Sequence, residues 1–127
     1  MTSRFVLSAL LALSFPVAAH ADGDAAKGEQ VFKKCMACHV PDTATNKVGP
    51  HLGDVIGRKA GSVEGYSYSP AMKAKGDEGF VWDDANLDSY LADPKGFIPK
   101  NKMIFPGLKK PDDRANVIAF LKSKKGS

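Results

Sequence analysis

The sequence predicts one small all-α domain with long irregular loops. Four segments of the 127-residue chain carry helix start and stop signals, and no segment alternates between apolar and polar residues over enough positions to form a sheet. The connecting stretches, notably residues 47–65 and 94–107, are rich in glycine and proline. Loops of that length are uncommon in a self-sufficient helical bundle. We therefore expect them to wrap around a group that is not polypeptide.

The first 21 residues are predicted to be a secretory signal peptide. They carry one basic residue, Arg4, then an apolar run and the small-residue sequence AHA at 19–21, which is the order typical of a cleaved leader. The apolar run is short and contains a proline, which argues against a membrane anchor. We expect cleavage after Ala21 and a single mature domain of residues 22–127 in the periplasm.

Capping residues mark the first three predicted helices. Asp24 can cap a helix in the segment GDAAKGEQVFKKC, Ser69 one in SPAMKAKG and Asp83 one in WDDANLDSYLADP. Gly76 would stop the second helix and Pro94 would end the third. The apolar positions fall at spacings of three and four on one face: Gly28, Val31, Phe32 and Cys35 in the first helix, and Leu87, Tyr90 and Leu91 in the third.

The last predicted helix, in KPDDRANVIAFLKSKKG, has the clearest signals. Pro111 fits its first position, two acidic residues follow, and lysines close the segment where the helix dipole favours cations. Its apolar face is predicted to hold Val117, Ile118 and Leu121.

Both cysteines of the chain lie in CMACH, residues 35–39. Cys-x-x-Cys-His is the attachment signature of a c-type haem. In that chemistry Cys35 and Cys38 each form a thioether bond with one haem vinyl group, and His39 binds the iron. A thioredoxin-like pair would need a βαβ context, and a zinc site would need a second Cys or His pair, and the sequence shows neither. The motif therefore predicts one covalently bound haem c.

The second axial position of the iron decides what such a haem does. A sulfur or nitrogen ligand there gives a closed centre that transfers electrons, whereas an open position lets a gas or peroxide bind. Met1 and His20 belong to the predicted signal peptide, and Met36 lies inside the attachment turn and cannot reach the opposite face. These exclusions leave His51, Met72 and Met103. Met103 lies in a loop bounded by proline and glycine, and Met72 falls on a short helix where methionine usually packs. The residues alone leave the choice open.

The chain resembles the class I c-type cytochromes, a family that includes mitochondrial cytochrome c and its soluble bacterial relatives of the cytochrome c2 type. The resemblance covers nearly all of residues 22–127 and rests on CMACH, GPHLGDVIGRKAG, YSYSPAM, Trp82, LDSYLADPKGFIPKNKMIFPG and NVIAFLK. It implies an all-α fold around one haem c, with Met103 as the distal iron ligand. It also implies an electron carrier without catalytic residues.

The resemblance further implies roles for residues around the haem. The carbonyl of Pro50 would accept the ring N–H of His39 and fix its tautomer, and Tyr90 would lie near the sulfur of Met103. Four residues would surround or hydrogen-bond the haem propionates: Arg58, Tyr68, Trp82 and Asn101. Asn101 stands where the family often has a threonine, so an amide would have to make that contact.

The resemblance also predicts one contact between helices, and two residues of the chain differ from the family pattern. The resemblance implies that Gly28 and Phe32 meet Phe120 where the first and last helices pack. Met72 replaces a polar residue near a buried water, which would make that region drier. His51 would add a titratable group close to the proximal side of the haem.

Charge indicates the kind of partner. The net charge of +4 is too small, and too little clustered, for a nucleic-acid binder. Eight lysines flank the attachment turn and the methionine loop: Lys33, Lys34, Lys47, Lys95, Lys100, Lys102, Lys109 and Lys110. They are either an ordinary solvated face or a basic ring that meets acidic surfaces on redox proteins. We expect a monomer that does not span the membrane and passes electrons from a donor complex to an oxidase, a reductase or a reaction centre.

Overall fold

The computed structural model of the protein describes residues 23–126. These residues form five helices, α1 Ala25–Phe32, α2 Pro70–Asp77, α3 Asp84–Ala92, α4 Pro94–Phe97 and α5 Pro111–Lys122. Within the same range the β-pairing is a single antiparallel bridge between Lys59 and Val81. The all-α fold class predicted from the sequence is confirmed. The predicted signal peptide, residues 1–21, lies outside the described residues, so that boundary stays a prediction.

Three helices begin at the capping side chains that the sequence predicts. Asp24 caps α1, Ser69 caps α2 and Asp83 caps α3, and each accepts backbone N–H bonds of 2.7–3.1 Å. Such a cap contributes about 1 kcal/mol of stability. α5 has no side-chain cap, but Pro111 occupies its first turn together with two aspartates that complement the helix dipole.

The prediction for the end of α2 was wrong. Gly76 lies inside the helix, which continues to Asp77. This glycine serves packing instead, because a Cβ at this position would lie 2.0 Å from the carbonyl oxygen of Ala60. Pro94 does end α3, but it also opens α4, a single turn that the sequence analysis missed. The Asp93 carboxylate caps that turn by accepting the N–H of Gly96 at 3.1 Å.

α1 and α5 form the closest helix pair of the described residues. A Cβ on Gly28 would lie 1.9 Å from the carbonyl oxygen of Asn116, so glycine is what allows the two backbones to meet. One turn later the rings of Phe32 and Phe120 pack at a centroid distance of 5.1 Å, and both are buried. The helix contact implied by the resemblance is therefore present.

A second part of the core is aromatic. Phe80, Trp82, Tyr90 and Phe97 contact one another with ring centroids 4.9–6.4 Å apart. They come from α3, α4 and the segment between α2 and α3. Aromatic pairs in these geometries add to the stability gained from burial. Trp82 and Tyr90 also form part of the wall of the cavity described below. No helix of residues 23–126 is both long and apolar enough to cross a bilayer.

Candidate functional site

A largely apolar cavity of about 770 Å³ opens between the helices and the long loops. This volume lies within the ~300–1,000 Å³ of typical cofactor pockets. All ten residues that the sequence analysis assigned to the haem line it: Cys35, Cys38, His39, Pro50, Arg58, Tyr68, Trp82, Tyr90, Asn101 and Met103. The loops therefore do enclose a space that polypeptide does not fill.

The attachment turn follows α1 directly. The N–H of Cys35 bonds to the carbonyl of Phe32 at 2.7 Å, and the N–H groups of Cys38 and His39 bond to the carbonyl of Cys35 at 3.1 and 2.9 Å. These bonds continue the helical path, so that the three side chains line one cavity. Both cysteines are free thiols. Burial raises the pKa of the Cys35 thiol to about 11, so it is protonated at neutral pH.

His39 is held as a neutral ring with one nitrogen free of hydrogen bonds to the described protein. Its Nδ1–H donates to the carbonyl oxygen of Pro50 at 2.7 Å, which leaves the lone pair of Nε2 available to a metal. Burial lowers the pKa of His39, and the bond to Pro50 only partly opposes this shift. The ring also packs against Gly49, where a Cβ would lie 2.4 Å from its Cε1 atom. The ring therefore has a defined tautomer and a close-packed neighbour.

Met103 lies on the loop after α4, and its sulfur faces Tyr90. The Tyr90 hydroxyl, on α3, lies 3.9 Å from the Met103 sulfur. Burial raises the pKa of Tyr90 far above its usual value, so the hydroxyl keeps its proton and can donate it. Of the other two candidate ligands, Met72 also lines the cavity, whereas His51 is not found among the lining residues of the described chain.

The side chain of Asn101 binds backbone groups on both sides of its own position in the chain. Its side chain is buried, with 4% of the residue exposed. Nδ2 donates to the carbonyl oxygens of Pro94 and Ile98, each at 2.8 Å, and Oδ1 accepts the backbone N–H of Met103 at 2.8 Å. Both amide hydrogens are thus bound to backbone carbonyls, and a contact with a propionate stays a prediction.

Arg58 provides a partly buried positive charge in the cavity. Among the described residues its hydrogen bond is one long contact from Nη1 to the carbonyl of Gly53 at 3.4 Å, so most of its five donors are available. Burial lowers the pKa of this guanidinium, which nevertheless stays charged. Tyr68 lines the same cavity, and its hydroxyl accepts the N–H of Val63 at 3.0 Å. A desolvated guanidinium with free donors favours an anionic group such as a carboxylate.

These observations together test whether a haem c would fit. Two free thiols stand beside a neutral imidazole at one part of the cavity. The thioether sulfur of Met103 and the guanidinium of Arg58, most of whose donors are available, line the same cavity. In a c-type haem, thiols bind the vinyl groups, an imidazole and a thioether bind the iron, and a guanidinium binds a propionate. By contrast, residues 23–126 hold no group of three or more His, Cys, Asp or Glu that could bind an ion. The lining residues fit haem c.

The predicted docking lysines are all exposed, but several also hold the loops together. Three of them line the cavity, namely Lys34, Lys47 and Lys102. Four bind backbone carbonyls through Nζ: Lys47 that of Met36, Lys95 that of Asn101, Lys102 that of Ser67, and Lys109 those of Ala92 and Pro106. These lysines therefore stabilise the loops as well as supplying charge.

Sequence reasoning missed an apolar patch at the edge of the cavity. Ile104 is 98% exposed and Val48 is 74% exposed, and both line the cavity. Met36, in the attachment turn, is 53% exposed. No acidic residue occurs among the described residues of the cavity lining. Exposure of these side chains depends on how the loops fold, so no pattern in the sequence marked them.

Comparison with known proteins gives consistent matches. The family model described as Cytochrome c matches residues 25–125. A cytochrome c2 of Rhodomicrobium vannielii is 53% identical over 116 residues, which cover 91% of this chain and 90% of that protein. The structure of cytochrome cH from Methylobacterium extorquens is 47% identical, has a TM-score of 0.73, and covers 80% of this chain and 100% of its own. The structure of cytochrome c2 from Rhodospirillum centenum is 42% identical and has a TM-score of 0.74. The match covers 81% of this chain and 99% of that one.

Proposed function

Because the chain belongs to the cytochrome c family, whose members transfer single electrons through one covalently bound haem c, we propose that Cys35 and Cys38 attach this haem and that His39 and Met103 are its axial ligands. The protein is an electron carrier and not an enzyme. One observation carries the ligand assignment: both side chains line the same cavity, and each is held by its own partner, Pro50 for His39 and Tyr90 for Met103.

The bound haem supplies a one-electron iron couple, and the protein sets the conditions for its use. Pro50 keeps the His39 ring in one tautomer and increases its basicity. A soft thioether ligand and burial in an apolar cavity favour the ferrous state, so we expect a fairly high potential. Because the same two side chains serve both oxidation states, little has to rearrange when an electron moves. Arg58 would balance the charge of a propionate.

Visible spectroscopy of two matched variants tests the ligand assignment. Met103 and Met72 both line the cavity, so Met72→Leu is the control for Met103→Leu. We expect the wild-type protein and Met72→Leu to show the weak ferric methionine–iron band and no reaction of the ferrous form with carbon monoxide. Met103→Leu should lose the band and bind carbon monoxide. Loss of the band in Met72→Leu alone would reverse the assignment.

We also propose that the edge of the cavity is the docking surface for redox partners. Its apolar centre consists of Val48 and Ile104, and Lys34, Lys47 and Lys102 stand around the same opening. Such a surface fits a partner with an apolar patch ringed by acidic side chains, and complexes of this kind form quickly and separate easily. Electron-transfer rates should therefore fall as ionic strength rises.

A charge reversal at this surface tests the docking proposal. Lys34→Glu is a sharper test than Lys102→Glu, because Lys102 also links two loops through the carbonyl of Ser67. Lys27 is exposed on α1 and does not line the cavity, so Lys27→Glu controls for net charge. We expect Lys34→Glu to slow electron transfer to the isolated physiological acceptor at low salt, with a much smaller effect of Lys27→Glu. Equal effects of Lys34→Glu and Lys27→Glu would show that only net charge matters and would contradict the proposed docking surface.

Finally, we propose that the protein is exported to the periplasm as a monomer. The leader pattern of residues 1–21 supports export, and a thioether link prevents loss of the cofactor there by dissociation. N-terminal sequencing of protein purified from a host with a haem-ligation system should begin at Asp22. A product that retains Met1 and stays in the cytoplasm would contradict this proposal.

A further inference from the structure

We propose that Asn101 is a positioning residue for the distal ligand, because its buried amide holds the backbone of the loop that presents the Met103 sulfur. This inference rests on the proposed function, since it takes Met103 as the iron ligand. It assigns Asn101 a role other than contact with a propionate.

The chain reaches Met103 through a tight turn with an unfavourable backbone conformation. Residues 98–101 have proline at the second position, a positive φ of 66° at Lys100, and a hydrogen bond of 3.3 Å from the N–H of Asn101 to the carbonyl of Ile98. These are the features of a type II turn, in which the third position favours glycine. A side chain at that φ is strained. A turn with this strain needs support from outside its own backbone.

The side chain of Asn101 supplies that support on both sides of the turn. Nδ2 binds the carbonyls of Pro94 and Ile98, before the turn, and Oδ1 binds the N–H of Met103, after it. The amide orientation is fixed by these partners, because two carbonyls require donors and one N–H requires an acceptor. Among side chains of this size only an amide offers two donors and an acceptor. Aspartate would lose the donors, and threonine could keep one of each.

The loop has weaker backbone support on the other side of the ligand. After Met103, the next backbone N–H bonded to a backbone carbonyl of the described residues is that of Leu108, which binds Leu91 at 2.7 Å. Ile104, which directly follows the ligand, is almost fully exposed. The position of the Met103 backbone is therefore set from its N-terminal side, where Asn101 acts.

Ligand exchange measures how firmly the loop holds the sulfur. Imidazole added to the ferric protein competes with the methionine, and carbon monoxide competes in the ferrous protein. We expect Asn101→Thr to bind imidazole about tenfold more tightly than the wild type, since about one net hydrogen bond is lost. Asn101→Asp should have a larger effect and a weaker ferric methionine–iron band. Asn86→Asp is the control, because this amide also donates to a backbone carbonyl, that of Val81 at 2.8 Å, away from the cavity.

The outcomes separate this inference from the proposed function. If the wild type lacks the methionine–iron band, the ligand assignment fails and the inference fails with it. If the wild type has the band but both Asn101 variants bind imidazole and carbon monoxide as it does, only the inference is overturned. A lower urea midpoint with unchanged imidazole affinity would likewise overturn it, because it would show a structural role alone. Asn101→Thr keeps the test valid if Asn101→Asp does not fold.

Discussion

The hydroxyl of Tyr90 and the sulfur of Met103 lie 3.9 Å apart inside an apolar cavity. Tyr90 belongs to α3 and Met103 to the loop after α4, so this contact joins a helix to a loop. The ring of Tyr90 is also fixed by aromatic neighbours, with centroids 4.9 Å from Trp82 and 6.4 Å from Phe97. The hydroxyl is therefore a positioned donor, and its effect on the sulfur can be separated from the packing of the ring.

Replacing Tyr90 by phenylalanine should lower the reduction potential. A donor to the sulfur withdraws electron density from the proposed iron ligand and favours the ferrous state, so its removal favours the ferric state. The contact is long, and we expect a fall of about 20–40 mV, equivalent to the weaker end of protein hydrogen bonds. Redox titration measures this change. Tyr66→Phe is the control, because the Tyr66 hydroxyl donates to the carbonyl of Val48 instead. A potential that rises or stays constant in Tyr90→Phe would contradict the assigned role of the hydroxyl.

Replacing Lys100 by glycine should stabilise the protein. The φ of 66° strains a residue with a Cβ by roughly 1–2 kcal/mol, whereas glycine adopts it freely. Glycine also loses more entropy on folding, so the net gain should be up to about 1 kcal/mol. Urea unfolding of the haem-loaded protein measures it. Lys100→Ala removes the charge but keeps the Cβ, and it should be neutral. An equal gain in both variants would point to charge rather than backbone strain.

The sequence predicted those parts of the fold that depend on neighbouring residues. Asp24, Ser69 and Asp83 cap their helices because a cap acts within one turn. The cavity lining followed from the attachment motif and the family resemblance. Contacts between distant segments were not predictable in the same way. The role of Gly76 depends on Ala60, and the bonds of Asn101 depend on a turn whose closure no local pattern marks.

The C-terminal segment should stabilise the protein through Asp54. The Asp54 N–H binds the carbonyl of Lys124 at 3.2 Å, and its carboxylate accepts the N–H of Gly126 at 2.8 Å. Asp54 also has a positive φ of 57°. Asp54→Ala would lose the acceptor and increase the strain, and should cost about 1–2 kcal/mol. Asp54→Asn keeps an acceptor and tolerates this φ, so it should cost less. Urea midpoints compare the two. Equal losses would assign the effect to the lost negative charge, which also lies 3.7 Å from the Lys125 ammonium, and not to the bond with Gly126 or to backbone strain.

The ring of His51 is in an unfavourable place for a positive charge. Its Nδ1 is buried without a hydrogen-bond partner among the described residues. Burial lowers the pKa of His51, the nearby Arg58 lowers it further, and only Asp54 opposes the shift. The backbone N–H of His51 is bound to the Oδ1 atom of Asn46 at 3.0 Å, which keeps the residue in place. The folded protein therefore favours the neutral ring more than the unfolded chain does.

Replacing His51 by leucine should make stability less dependent on pH. Between the lowered pKa of the folded protein and about 6.5, the pKa of an unperturbed histidine, the unfolded chain binds more protons than the folded one. Stability contributed by the neutral ring is therefore present above about pH 6.5 and is lost as the pH falls. Urea midpoints of the haem-loaded protein at pH 7.5 and 5.5 measure the loss, with Lys59→Leu as a control for an exposed, non-histidine change. We expect a smaller difference between the two pH values in His51→Leu than in the wild type. An equal fall in the urea midpoint of the wild type and of His51→Leu would assign the pH dependence to other groups.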